Sequence, residues 1–300
     1  MSMRRPDRYA FVPFERRKPI RWPNDARVAV WIVPNVEFYE LRPAAEKRWP
    51  RPVPDVLNYS LRDYGNRAGL WRMMDVLDRF GLRATVSLNA GLCDRLPQVV
   101  QACVDRDWEL VSHGTYNTQV LYGMSEEETA TTIRESVTTI SSFSGRPVRG
   151  FLAPALSSTE TFLDLLPQHG ITYSLDLVHD DRPSPLRVRS GRLISVPYSA
   201  EINDVRLMYY RGYSPQQWAS MQKAAFDQLY DEGEESGTVF CIALHPFVTG
   251  QPHRISALGD ILSHLKARGG AWYATGSEIA DWYYANAYDA DLAGAAYPAA

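Results

Sequence analysis

The chain has 300 residues, of which 45% are hydrophobic, and its 32 basic and 35 acidic side chains leave a formal net charge of −3. Charges of both signs are interspersed, which argues against a nucleic-acid partner and against attachment to a membrane surface; runs such as VAVWIV are far too short to span a bilayer. The length allows two ordinary domains, but α/β barrels reach it as one, and a chain of this size buries about three quarters of its unfolded surface without a staple.

In chain order, MSMRRPDRYAFVPFERR is charged and lacks the apolar core of a secretory signal, so the expectation is a cytoplasmic protein with an N-terminal arm over residues 1–26. Residues 27–34 (RVAVWIVP) form a continuous apolar run of strand length, as a strand buried on both faces requires. Residues 38–66, rich in Pro and Arg, read as a long binding loop. Leu70, Met73, Met74, Leu77 and Phe80 recur at helical spacing, with Gly81 placed as a C-cap. ATVSLNA reads as a strand, PQVVQACVDRD as a helix and WELVSHG as a strand.

Ser125 and Glu128 form a capping box for a helix carrying Ile133, Val137 and Ile140. VRGFLAPA, TYSLDL and LISVPYS follow as strands, the first two separated by a helix over residues 159–169, and residues 177–192 form a second long loop. Ser214-Pro215 opens a helix, TVFCIALHP is a strand, and Gly269-Gly270 close the helix of Ile255, Leu258, Ile261, Leu262 and Leu265. AWYATG and SEIADWYY complete the pattern, leaving residues 287–300 as a flexible tail. The three cysteines, Cys93, Cys103 and Cys241, are odd in number and lack CxxC spacing, which predicts buried thiols rather than disulfides or a thiolate metal site.

About eight strands alternating with helices predict mostly parallel strands with outer helices: a single distorted (β/α) barrel domain spanning 1–300. The alternative is an open doubly wound sheet, but no GxGxxG follows the first strand. In a barrel, chemistry gathers at the strand carboxyl ends. Those ends carry Asn35 and Glu37, Ser112-His113-Gly114, Ala153-Pro154, Asp176 with Asp180 and Asp181, Glu201 to Asp204, and His245-Pro246. Each alone is explained as a turn former or cap; together, with two imidazoles among them, they point to a catalytic site. His113 and His245 read equally as core histidines and as ligand, acid or base. His169 fits a helix end, His264 an exposed helix position, His179 a loop, and His253 a helix start or the mouth of the site.

The ordered set PNVE (34–37), WELVSHGTYNTQ (108–119), RGFLAPAL (149–156), DLVHDD (176–181) and IALHP (242–246) resembles the polysaccharide deacetylase superfamily. DVLNYSLRDYGNRAGLWRM (55–73), EIND (201–204) and LHPFVTGQPHR (244–254) are similar to a branch containing cofactor-free allantoinases, cyclic imide hydrolases and a peptidoglycan-deacetylase-like group. The resemblance spans residues 9–284. It implies a distorted (β/α) barrel that hydrolyses C–N bonds other than peptide bonds.

The family pattern has a base aspartate at position 35, a metal-binding aspartate at 37, metal histidines at 113 and 117, an arginine two residues before Pro154 and an acid histidine at 245. This chain carries Asn35, Glu37, His113, Asn117, Leu152 and His245 there. A zinc ion would rest on Glu37, His113 and the neutral amide of Asn117, completed by His245 or Asp204, so the cofactor is a weakly held divalent metal or none. In the metal version the ion polarises the carbonyl and its water. In the metal-free version Glu37 is the base and Asn35 or Asn117 donates to the oxyanion. In both, His245 protonates the departing nitrogen.

The favoured substrate is a small cyclic amide, imide or ureide, bound by Arg62, Tyr64, Arg67, Pro154, Asp176 and Asp204. The alternatives are a metal-dependent deacetylase of N-acetylated sugars and a catalytically inactive binding barrel. The resemblance also implies a homo-oligomer, tetramer or dimer, with Trp282, Tyr283 and Tyr284 as interface or core aromatics.

Overall fold

The computed structural model describes residues 8–44 and 52–294. Strand β1 (Val28–Val36) shows why the first apolar run is unbroken: Val28, Val30, Ile32 and Val36 pack into an outer core, while Ala29, Trp31 and Val33 pack into a second core on the opposite face. Successive strand side chains point to opposite faces, so a strand buried on both sides has no polar position to spare. β2 (Thr85–Leu88), β3 (Glu109–Ser112), β4 (Gly150–Phe151), β5 (Tyr173–Ser174), β6 (Ser184–Leu186), β7 (Leu193–Ser195), β8 (Thr238–Leu244) and β9 (Ala271–Tyr273) complete the sheet. Its order is β6-β7-β5-β4-β3-β2-β1-β8, with β9 paired to β1.

Every pairing is parallel except β6 with β7. β8 follows β1 from Val28↔Thr238 to Pro34↔Leu244. β9 pairs with the first residues of β1 and β2 with its last two. The result is a curled half-barrel, as the strand and helix alternation predicts. β7 and β8 are not paired, and a cavity of about 580 Å³ lies at this seam, lined by Val178, Pro197, Tyr198, Val239 and Cys241. β8 repeats the alternation of β1, with Phe240, Ile242 and Leu244 outward and Val239, Cys241 and Ala243 inward. All three cysteines are buried free thiols.

Helices α1 (Val56–Tyr64) and α2 (Leu70–Phe80) are joined by a wider π-helical segment, Gly65–Gly69. They are followed by α3 (Leu92–Arg95), α4 (Pro97–Asp105), α5 (Glu126–Ser144), α6 (Phe162–Leu165), α7 (Pro215–Glu232), α8 (Ile255–Arg268), α9 (Gly276–Asn286) and α10 (Tyr288–Gly294). The Ser125–Glu128 capping box is formed, and Ser214 forms another with Gln217. Gly81 closes α2 at φ 61°.

Four expectations change. The long loop at 38–66 becomes helix from Val56, capped by Asp55, and its residues 45–51 lie outside the described residues. The loop at 177–192 contains β6. The N-terminal arm is packed where it is described: Ile20 and Trp22 are buried, and Trp22 Nε1 donates to the Thr238 carbonyl at 2.8 Å; its residues 1–7 lie outside the described residues. Instead of a tail, residues 288–294 form α10 with Tyr288 buried; residues 295–300 lie outside the described residues. Core packing accounts for the C-terminal aromatics: Tyr283 is buried, Trp282 packs on Trp22 and Tyr284 donates to the Thr172 carbonyl.

Candidate functional site

The inner-face alternation runs off the strand ends and selects the site. Along β1, Ala29, Trp31 and Val33 face inward, and the same two-residue step leads to Asn35 and Glu37. Along β8, Cys241 and Ala243 lead to His245, and in β3 Val111 leads to His113. Glu37, His113 and His245 therefore meet above the inner core, each no more than 7% exposed. Glu37 Oε1 lies 3.6 Å from His245 Nε2 and 3.9 Å from His113 Nε2.

The other carboxylate oxygen of Glu37 accepts a 3.0 Å hydrogen bond from Arg62 Nε. α1 delivers that arginine. Asp55 caps the helix and holds Asn58, and Asn58 Oδ1 accepts from Arg62 Nη1. The guanidinium lies between the rings of Tyr39 and Phe247, 4.1 and 4.0 Å from their centres. Such stacking holds a buried cation that water does not solvate. Asn66, in the π-helical segment, donates to the Glu37 carbonyl at 2.9 Å. Burial alone would raise the Glu37 carboxyl, but the positive charge of Arg62 and the two imidazoles outweigh it and hold the pKa below the usual carboxylate range.

The two histidines are oriented differently. His113 Nδ1 is 2.7 Å from the Leu152 carbonyl, which only accepts, so Nδ1 carries the hydrogen and Nε2 presents a lone pair in the neutral ring. Burial lowers its pKa, which keeps the ring neutral. The contact comes from the backbone of Leu152, which stands at the position where the resemblance implies an arginine. Gly114, at φ 67°, turns the chain after His113, and Pro154 packs beside it, where a Cβ would approach to 3.1 Å. His245 Nδ1 and backbone N both donate to Asp204, at 2.7 Å each, and Thr249 Oγ1 donates to the same carboxylate at 2.6 Å.

Several predicted roles change with this geometry. Asp204 holds His245 and has both oxygens engaged. Asp176 is engaged by Ala153 N, Ser158 and Ser174, and anchors the turn after β4; burial pushes its pKa up to about 6. Arg67 forms a surface ion pair with Asp63, and Tyr64 Oη accepts from Arg72, so neither faces Glu37. Asn35 is not placed as an oxyanion donor: its Nδ2 is directed at Tyr198 Oη (2.9 Å) and the Leu244 carbonyl (3.2 Å). Asn117 sits beside the His113 ring with a buried Oδ1 that has no hydrogen-bond partner among the described residues. Pro154 and Arg62 remain at the site. His253 is exposed, and His264 bonds Asp227.

Tyr39 and Tyr198 carry no motif that marks them in the sequence; Phe247 and Thr249 lie within LHPFVTGQPHR (244–254), which marks the stretch but not their contacts. Only the position of Thr249, four residues after His245 in a turn, hints at its contact.

The donor set does not complete a catalytic zinc site. Such a site takes three strong donors plus water; here the one carboxylate is already paired with Arg62, His113 Nε2 offers one lone pair, Asn117 adds only a neutral oxygen, and the third strong donor would have to be His245 Nε2, which faces the same carboxylate oxygen. Among the described residues no cluster of three or more His, Cys, Asp or Glu is placed to hold a metal.

The curled, mostly parallel sheet and its helices are those of the NodB-like distorted barrels. Residues 57–174 match the family model described as Polysaccharide deacetylase. A Schizosaccharomyces pombe protein named "Putative polysaccharide deacetylase" is 29% identical over 306 residues, covering 90% of this chain and 94% of that protein. The crystal structure of a protein titled "probable Polysaccharide deacetylase from Pseudomonas aeruginosa PAO1" matches at TM-score 0.80 with 26% identity, covering 90% of this chain and 95% of that one. The Puue allantoinase crystal structure shares the fold at TM-score 0.82, with 24% identity and the same coverage. Among the described residues no helix is long and apolar enough to cross a membrane.

Proposed function

We propose that this chain hydrolyses a C–N bond of a small cyclic amide, imide or ureide by acid–base catalysis, with Glu37 as the base and His245 as the acid. The arrangement around Glu37 carries this reading: a carboxylate held anionic by Arg62, facing two imidazoles within 4 Å, with no working group more than 7% exposed.

Water attacks the carbonyl carbon while Glu37 Oε1 takes its proton. The Arg62 charge stabilises the negative charge developing on the carbonyl oxygen. The tetrahedral intermediate collapses by breaking the C–N bond, and protonated His245 gives its Nε2 proton to the leaving nitrogen. Asp204, bonded to Nδ1, steadies the imidazolium and keeps Nε2 aimed into the site. In a ring substrate the products remain one molecule: an acid carrying an amine from a cyclic amide, an amide from an imide or a urea from a ureide. Glu37 and His245 then exchange the proton across their short gap and restore the starting state.

Deacetylation of N-acetylated sugars is the second reading, favoured by the family and by the name of the yeast relative. Ring opening of a panel of cyclic imides and ureides, run beside N-acetylglucosamine oligomers, separates the two. Turnover of the rings, reduced at least ~10²-fold in Glu37→Gln and in His245→Gln with the fold intact, is the expected outcome. Acetate release from the sugars with the rings untouched would overturn it.

A further inference from the structure

Asn35 stands where the family has its base, and an amide cannot take a proton from water. Its surroundings assign it another task. The Leu244 and Val33 carbonyls, 3.2 and 3.5 Å from Nδ2, only accept hydrogen bonds, so the amide nitrogen must face them. Tyr198 Oη takes Nδ2 at 2.9 Å. Rotating the amide by half a turn would set Oδ1 against two carbonyl oxygens. The orientation is therefore fixed by three acceptors, and Oδ1 is left without a hydrogen bond from any described residue.

Oδ1 belongs to the inner face below Glu37, and the carbonyl that orients Nδ2 belongs to the residue before His245. With Nδ2 engaged, Oδ1 is open to a donor, and a bound substrate can supply one. Resting on the proposed hydrolysis, we infer that Asn35 Oδ1 accepts the N–H of the scissile amide, so that the enzyme acts only on nitrogens that carry a hydrogen. The contact also orients the reaction. As the carbonyl carbon becomes tetrahedral, the nitrogen lone pair loses its conjugation with that carbon. With its N–H held by Asn35, that lone pair turns toward His245, which protonates it as the C–N bond breaks.

Tyr198 is the positioning residue. Its hydroxyl also accepts from Asn203 Nδ2 at 3.1 Å, and Asn203 immediately precedes Asp204, the partner of His245. One segment thus orients both the group that reads the N–H and the group that protonates the nitrogen.

The test compares a cyclic imide with its N-methyl analogue, which keeps the scissile bond and lacks the hydrogen. The wild-type enzyme is expected to favour the N–H imide at least ~100-fold in kcat/KM, because a site built around a hydrogen bond rejects an analogue that cannot make it. Asn35→Ala removes the oxygen and makes room for the methyl, so the ratio falls to within a few-fold. Tyr198→Phe, which releases the amide, lowers the ratio while its unfolding temperature shows an intact fold. Equal wild-type turnover of both imides overturns the role of Asn35 while leaving ring hydrolysis standing. Turnover of neither imide overturns ring hydrolysis, and the inference with it. If Asn35→Ala does not fold, the wild-type ratio and Tyr198→Phe still decide.

Discussion

Glu37 and Arg62 set each other's state. Both side chains are at most 7% exposed and meet at 3.0 Å. Taking either partner away leaves a buried charge uncompensated, which typically costs about 3–5 kcal/mol. Arg62→Leu is therefore expected to lower stability by about that amount in denaturant unfolding. It also has a pH signature. The proposed scheme needs Glu37 as an anion, and Arg62 depresses its pKa. Without the guanidinium the folded-state pKa rises, so the acid limb of the kcat/KM profile moves to higher pH. An unmoved acid limb would mean that Glu37 is not the titrating base. The same reasoning explains why sequence inspection left Arg62 and Arg67 equivalent: both are arginines on the helical run 56–80, and only the helix phase turns one to Glu37 and the other to Asp63.

The continuous run of α1, the π-helical segment and α2 is the element that assembles one side of the site. Its wider segment brings Gly69 against the turn after His245. A Cβ on Gly69 would come within 2.0 Å of the Pro246 carbonyl oxygen, and one on Gly250 within 2.3 Å of the Gly69 Cα. Backbone meets backbone there, so only glycine lets the helix carrying Arg62 and the turn carrying His245 share one wall. Gly69→Ala must displace that turn. Overpacking of this kind costs about 1–3 kcal/mol, and activity should fall with it, because His245 heads the displaced segment. Gly259 is a fitting contrast: it lies within α8 with nothing within 4 Å of an added Cβ. Gly259→Ala is expected to stabilise by about 0.4–1 kcal/mol. Thermal unfolding of the two variants should show shifts of opposite sign.

At the scale of the whole molecule, the half-barrel works as a frame that converts strand alternation into a ring of polar groups. Its two buried faces consume the apolar residues, and the positions where strands run out are left for chemistry. The frame supplies one carboxylate, already paired with Arg62, and two imidazoles, of which the proposed scheme uses His245 as the acid, and this leaves it short of a catalytic zinc set. Prolonged chelation is therefore expected to leave kcat/KM for ring opening unchanged, with metal content per chain measured by mass spectrometry before and after. Activity lost on chelation and restored by zinc would overturn the acid–base scheme.

Local pattern alone determined the strands other than β6, most helices and their caps, because apolar runs, 3.6-residue spacing and capping boxes are properties of neighbouring residues. It also determined that Asn35, Glu37, His113 and His245 stand at strand ends, since a two-residue step leads to each. Helix α1 escaped that reading because its polar sequence carries exposed Val56 and Leu57 and a buried Arg62, a pattern that reads as loop. The partnerships were beyond local pattern altogether. Asp204 meets His245 across 41 residues and Asn35 meets Tyr198 across 163, contacts that exist only once the sheet has curled. Tertiary structure therefore decided which arginine compensates Glu37, that Asp204 serves the histidine, and that Asn35 presents its oxygen, because each depends on which buried polar atoms the closed fold leaves paired.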